Sequence, residues 1–218
     1  MRERSLLLVG PGHHFGYDLA RRFYRERFDI GLIGRAQSTL DLFAQSLQKE
    51  GISPRCAVAD VTRPQEIRAA LETMTQSLPP VSCLIYNVKS SVPTSEIIRD
   101  PTLLTTTFEN NVTGAFNTLQ AAAKQLSFKN PLSIIVTGGG YKDNPDPDRL
   151  ALSVSKAALH NLVLALAPSL QKKNITLQTI VIDGFVRETG PLLPTDVADY
   201  FWFAYNHPDT IFFRFPQH

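Results

Sequence analysis

The chain has 218 residues, with 22 Lys and Arg against 20 Asp and Glu and a formal net charge of +2. That near-balance argues against a nucleic-acid or polyanion binder. A composition of 43% hydrophobic and 19% charged residues suits one packed domain over 1–218 rather than a disordered chain. No apolar run approaches the roughly 18–20 residues a membrane helix needs. The apolar stretch Leu6 to Val9, after Met1-Arg2-Glu3-Arg4, is too short for a secretory signal. A cytoplasmic protein without a membrane partner is expected, with Cys56 and Cys83 as two buried thiols.

In chain order, strand and helix alternate throughout. Ser5 to Val9 reads as a strand, Phe15 to Arg27 as an amphipathic helix, Ile30 to Ile33 as a strand and Leu40 to Gln48 as a helix. Arg55 to Ala59 is a third strand. Thr62-Arg63-Pro64-Gln65 reads as a capping box opening the next helix, with Thr62 as the cap. Val81 to Tyr86 is a fourth strand, followed by one long helix from Leu103 to Leu126. Ser133 to Thr137 is a fifth strand, Gly138 to Asp148 a loop, Leu150 to Gln171 a helix expected to kink at Pro168, and Ile175 to Ile182 a sixth strand. Thr195 to Asn206 and Thr210 to Phe215 close the chain. Nearly all-apolar strands separated by helices predict an α/β fold, a doubly wound parallel sheet covered on both faces. The third and fourth strands then leave the first on opposite sides, too far apart for Cys56 and Cys83 to bridge.

The turn Gly10-Pro11-Gly12-His13-His14-Phe15-Gly16 between the first strand and first helix suits a pyrophosphate held at a helix N-terminus. The second strand ends in Gly34-Arg35. An acid there would bond the ribose of NAD, whereas Arg35 offers a guanidinium for the 2′-phosphate of NADP. NADP(H) is therefore favoured over NAD(H).

These segments together resemble the short-chain dehydrogenase/reductase family, whose domain is a Rossmann fold. Further matches carry the resemblance over nearly the whole chain. They are Asp60-Val61 after the third strand, Asn87 after the fourth, Asn111-Val112-Thr113-Gly114, Ser155-Lys156-Ala157 and Asp183-Gly184-Phe185-Val186. The resemblance implies cofactor contacts from Gly10, Gly12, His14, Gly16, Arg35, Asp60, Val61, Asn87, Lys156 and Gly184. It implies catalytic roles for Asn111 and Lys156. It also implies a homo-oligomer that packs on the helix carrying Ala157, Ala158, Ala165 and Ala167.

The departures fall at the chemical centre. The family's catalytic Tyr stands four residues before its Lys, where this chain has Leu152. Its Ser aligns with Gly139, and the middle glycine of Gly-x-x-x-Gly-x-Gly aligns with His14. Tyr141 is a candidate surrogate phenol by location. Lys89, Ser90, Ser91, Asp183 and Glu188 emerge on the same edge. A shortened lid, about 185–194, is expected to leave the pocket open. Three readings stand: an NADP(H)-dependent oxidoreductase on a carbonyl or hydroxyl small molecule with an altered proton donor, a degenerate dinucleotide-binding sensor or scaffold, and a non-redox enzyme reusing the cleft.

Overall fold

The structure, a computed structural model, describes residues 2–12, 15–126 and 131–216. Among them, seven strands form one parallel sheet: β1 Arg4–Val9, β2 Phe28–Gly34, β3 Arg55–Val58, β4 Val81–Tyr86, β5 Leu132–Thr137, β6 Ile175–Ile182 and β7 Phe212–Phe215. Their order is β3-β2-β1-β4-β5-β6-β7, and every neighbouring pair is parallel. This is the doubly wound α/β fold that the alternation of apolar runs predicts. β2 and β1 lie between β3 and β4, and Cys56 and Cys83 are both free thiols.

Strand side chains alternate between two cores. Leu7, Val9, Leu84, Tyr86, Ile134 and Val136 face α3 Pro64–Ser77, α6 Gly114–Gln125 and α7 Leu150–Gln171. Leu6, Leu8, Ile30, Leu32, Ile85 and Ile135 face α1 Gly16–Arg25, α2 Gln37–Gln48 and α8 Pro194–Tyr205. The aromatic run of α8 is consumed largely within the chain. Trp202 and Tyr205 meet Phe23 and Phe28 edge-on, and Tyr200 packs against Phe213 and Phe215.

Four expectations change. Thr62 does not cap α3: its N–H and hydroxyl both donate to Asp60 Oδ1, at 2.9 and 2.8 Å. Pro64 in the first turn also has no N–H for a cap to serve. The long helix from Leu103 to Leu126 is three pieces: α5 Thr102–Phe108, a π-helical turn Glu109–Thr113, and α6. A short helix, α4 Thr94–Arg99, precedes them and buries only Ile97, too little apolar periodicity to be read from sequence. The stretch 147–171 is, by length and composition, apolar enough to cross a membrane, with a mean hydropathy of 1.6 over its 18-residue window. Its apolarity follows from burial of Ala151, Leu152, Leu159, Val163 and Ala167 against the protein core. α7 runs through Pro168 to Gln171, with that proline and the preceding-turn Leu164 on its exposed side, where the freed carbonyl meets water.

Gln178 on β6 joins the last helix to the last strand. It is fully buried, and its Nε2 lies 3.1, 2.8 and 2.9 Å from the carbonyls of Ala204, His207 and Thr210. Gln178→Leu removes the donor that these three carbonyls share and is expected to cost about 2–4 kcal/mol. Urea unfolding measures this; a loss below about 0.5 kcal/mol would show that the α8–β7 connection does not depend on it.

Candidate functional site

Each strand's C-terminal end hands its loop to a neighbouring strand. The N–H of Gly10 donates to Ile33 O (2.8 Å), that of Asn87 to Val9 O (2.8 Å), that of Ala59 to Gly34 O (3.0 Å) and that of Gly138 to Ile180 O (2.7 Å). The loops so anchored enclose a cleft of about 720 Å³. Gly10, Gly12, Arg35, Asp60, Val61, Asn87, Tyr141, Lys156 and Gly184 all line it. Gly16 and Asn111 stand behind the wall. His14 lies outside the described residues.

The turn after β1 fits a dinucleotide. A β-carbon at Gly16 would sit 1.8 Å from the carbonyl oxygen of Pro11, so only glycine lets α1 start beneath the turn. Gly12 has φ +60°, a conformation that favours glycine, although a β-carbon there would meet only Asn87 Nδ2 and Gly10 O at 3.8 Å. Among the described residues no side chain caps α1, which leaves its first amides for an anion. Asn87 secures the turn by donating from Nδ2 to Gly10 O at 3.2 Å.

At the adenosine end, Gly34 has no side chain and Arg35 is exposed beside the cleft. Burial opposes ionisation of Asp60. The Thr62 N–H and hydroxyl, with the charges of Arg35 and Arg63, outweigh it and hold the carboxyl below its usual range. Val61 packs over Gly114, and its carbonyl accepts from Asn117 Nδ2 at 3.0 Å.

The π-helical turn explains Asn111. Its extra residue frees a backbone carbonyl and rotates the segment. The Tyr86 hydroxyl donates to Asn110 O at 2.7 Å, and Asn111 turns fully inward. There it clasps Ser90, accepting from its N–H at 2.7 Å and donating to its carbonyl at 2.9 Å. Asn111 therefore acts through the 87–91 loop rather than by touching the cleft.

Lys156 is the buried charge of the site. Its Nζ donates to Thr137 O at 2.8 Å, and no carboxylate lies within ion-pair distance among the described residues. Burial, with the nearby charge of Lys89, lowers its pKa from the usual 10.5 to about 8. Leu152, one turn earlier on α7, is buried and lines the same cleft. A β-carbon at Gly139 would meet the Lys156 methylenes at 3.4–3.5 Å, so that wall is bare. Tyr141 stands at the cleft with its ring edge-on to Phe185. Burial raises its pKa, and the charge of Asp146 adds to that rise.

Two parts of the site are not visible in sequence. The Thr137 carbonyl that holds Lys156 is a backbone atom with no residue signature. Arg214, on β7, donates from Nη1 to Asp183 at 2.6 Å and from Nη2 to Asp143, linking three distant segments.

Residues 4–190 match the family described as short chain dehydrogenase. The chain belongs to that family. A Bacillus subtilis (strain 168) relative, the uncharacterized oxidoreductase YvrD, is 23% identical over 99% of this chain and 85% of its own. The structure of an actinorhodin polyketide ketoreductase variant with NADPH superposes with TM-score 0.88 at 18% identity, covering 99% and 97% of the two chains. NAD+-bound xylitol dehydrogenase gives 0.76 at 24% identity, covering 87% and 72%. The short-chain dehydrogenases bind a nicotinamide dinucleotide, and the cleft described above has the shape and donors for one.

Lys156 carries a stability signature. Its folded pKa lies below the unfolded one, so the native state disfavours the cation. The destabilisation is full below pH 8, shrinks from pH 8 to 10.5, and is gone above. Lys156→Met should therefore raise stability at pH 7 by about 2 kcal/mol, the shift less the lost Thr137 hydrogen bond. The gain should vanish near pH 10.5. Urea unfolding at both pH values checks it, and a gain that persists at the higher pH would overturn it.

Proposed function

We propose that this chain is an NADP(H)-binding oxidoreductase acting on a carbonyl or hydroxyl small molecule. In this reading Leu152 and Gly139 occupy the family's Tyr and Ser positions, and Lys156 holds the proton. The observation that carries it is the Lys156 ammonium. It is buried in the cleft, bonded to one backbone carbonyl, and lacks a carboxylate partner among the described residues. When bound, NADPH supplies the hydride. The chain's own task is to place a proton at the carbonyl oxygen, and a lysine titrating near neutrality is matched to that work. Thr137 O aims the ammonium, and Asn111 fixes the opposite wall through Ser90. Tyr141 is the competing donor, with its pKa raised by burial. The connection 183–193 forms no helix, in keeping with a pared lid.

The pH profile separates the two donors. With Lys156 as the acid, carbonyl reduction falls as pH rises through about 8, because the ammonium is lost there. Lys156→Met abolishes turnover, and Tyr141→Phe leaves it within about threefold. A rate that holds to pH 10 and collapses in Tyr141→Phe would assign the proton to the phenol.

The exposed Arg35 beside a side-chain-free Gly34 supports NADP over NAD. NADPH should bind at least about tenfold more tightly than NADH, with Arg35→Leu erasing most of that ratio. Nicotinamide fluorescence titration measures both. Equal affinity in the unaltered chain would refute the preference.

Leu152 in a cleft that otherwise fits a dinucleotide favours a second reading, a binding protein without turnover. Saturable NADPH binding with no oxidation across a broad carbonyl panel would establish it. Absence of any nicotinamide binding would leave a non-redox use of the cleft.

A further inference from the structure

The cleft carries more positive charge at its substrate end than a dinucleotide uses at its adenosine end. Lys89 occupies the last position of the segment Asn87-Val88-Lys89, exposed and lining the cleft. Lys156 lies close enough to feel its charge, and Lys89 in turn feels Arg149. Neither lysine has a carboxylate within ion-pair distance among the described residues. Across the mouth, Phe185 is 54% exposed, with the guanidinium carbons of Arg149 and Arg187 at 5.8 and 5.5 Å from its ring centre. Tyr141 meets the same ring edge-on at 6.3 Å.

Among the described residues the nearby acids pair with Arg149 and Arg214 and leave Lys89, Lys156 and Arg187 without an ion pair. Asp183 is held by Arg214 at 2.6 Å. Asp146 accepts from the N–H of Asp148 at 2.9 Å and sits 3.5 Å from Arg149. Glu188 is exposed. Like charges gathered along one cleft repel one another, and an anion relieves that cost. Exposed aromatic rings beside them offer a flat apolar seat.

We infer that the substrate end of this cleft selects a carbonyl compound that joins an aromatic or similarly flat apolar body to a carboxylate. The body lies against Phe185 and Tyr141, and the carboxylate faces Lys89 with Arg187. This rests on the oxidoreductase reading for the word substrate; the anion preference stands on the residues alone.

The test uses the full chain and two isosteric probes, benzoate and benzamide, titrated calorimetrically with and without saturating NADPH. Benzoate should bind at least about tenfold more tightly than benzamide, a ratio set by charge-assisted hydrogen bonds. Lys89→Gln combined with Arg187→Gln should bring benzoate down to benzamide's level, while Lys89→Arg keeps the preference. Unchanged thermal melting verifies that each variant is folded. NADPH affinity, read separately by fluorescence, should stay within about twofold in the double variant.

Equal affinity for the two probes, or binding of neither, overturns the inference. So does competition between benzoate and NADPH, or loss of NADPH affinity in the double variant. Those results would assign the cations to the cofactor's phosphates. If NADPH fails to bind at all, the oxidoreductase reading falls. The benzoate preference of the cofactor-free chain then still decides the anion site.

Discussion

Everything at the site depends on the sheet being parallel throughout. Parallel strands all end on the same edge, so six loops that are distant in sequence emerge side by side. The ladder then extends one residue past several strands, through the N–H groups of Gly10, Asn87, Ala59 and Gly138. Those four bonds convert strand register into loop position. The glycine turn, Asp60, Asn87 and the bare 138–140 wall are consequently fixed relative to one another before any ligand arrives. A sheet buried on both faces can hold that register firmly, because a one-residue slip would exchange the two cores.

The second organising element is a charge placed where burial opposes it. Lys156 projects from α7 into the core end of the cleft and finds a backbone carbonyl instead of an acid. A carboxylate partner would have favoured the cation and kept the amine from titrating near neutrality. The arrangement leaves the ammonium opposed by burial and held by one backbone carbonyl. Lys89 intensifies this, since like charge adds to desolvation. Asn111 contributes rigidity of another kind. Its amide satisfies both backbone groups of Ser90 through a π-helical turn, whose displaced Asn110 carbonyl is satisfied by Tyr86. The irregular turn is therefore fully bonded and serves to aim a side chain.

Much of this was legible in the chain. The apolar runs located all seven strands, Leu150 to Gln171 was read with its observed bounds, and the turn at Gly10 to Gly16 was placed between the first strand and helix. Of the expected cofactor contacts among the described residues, the cleft gathers all but Gly16 along its lining. What escaped had specific causes. A π-helical turn keeps the helical hydrophobic pattern, so Glu109–Thr113 looked like uninterrupted helix. The capping-box spacing at Thr62 was present, but Asp60 competed for its hydroxyl through a local turn. Helix α4 buries a single side chain and leaves no periodicity.

By itself, then, the sequence determined the layers and the residue types on offer. Periodicity records which side of each element is dry, and single positions such as Leu152 and Gly139 record which side chains the chain offers there. Only the tertiary structure decided which charges face each other. Lys89, Arg149 and Arg187 lie on three separate connections and Lys156 on α7, and nothing local couples them. The parallel sheet brings their loops to one edge, and the folds of those loops leave the neighbouring acids already engaged. Charge balance over the chain says nothing about that local excess, because electrostatic interaction depends on distance in space rather than on separation along the backbone.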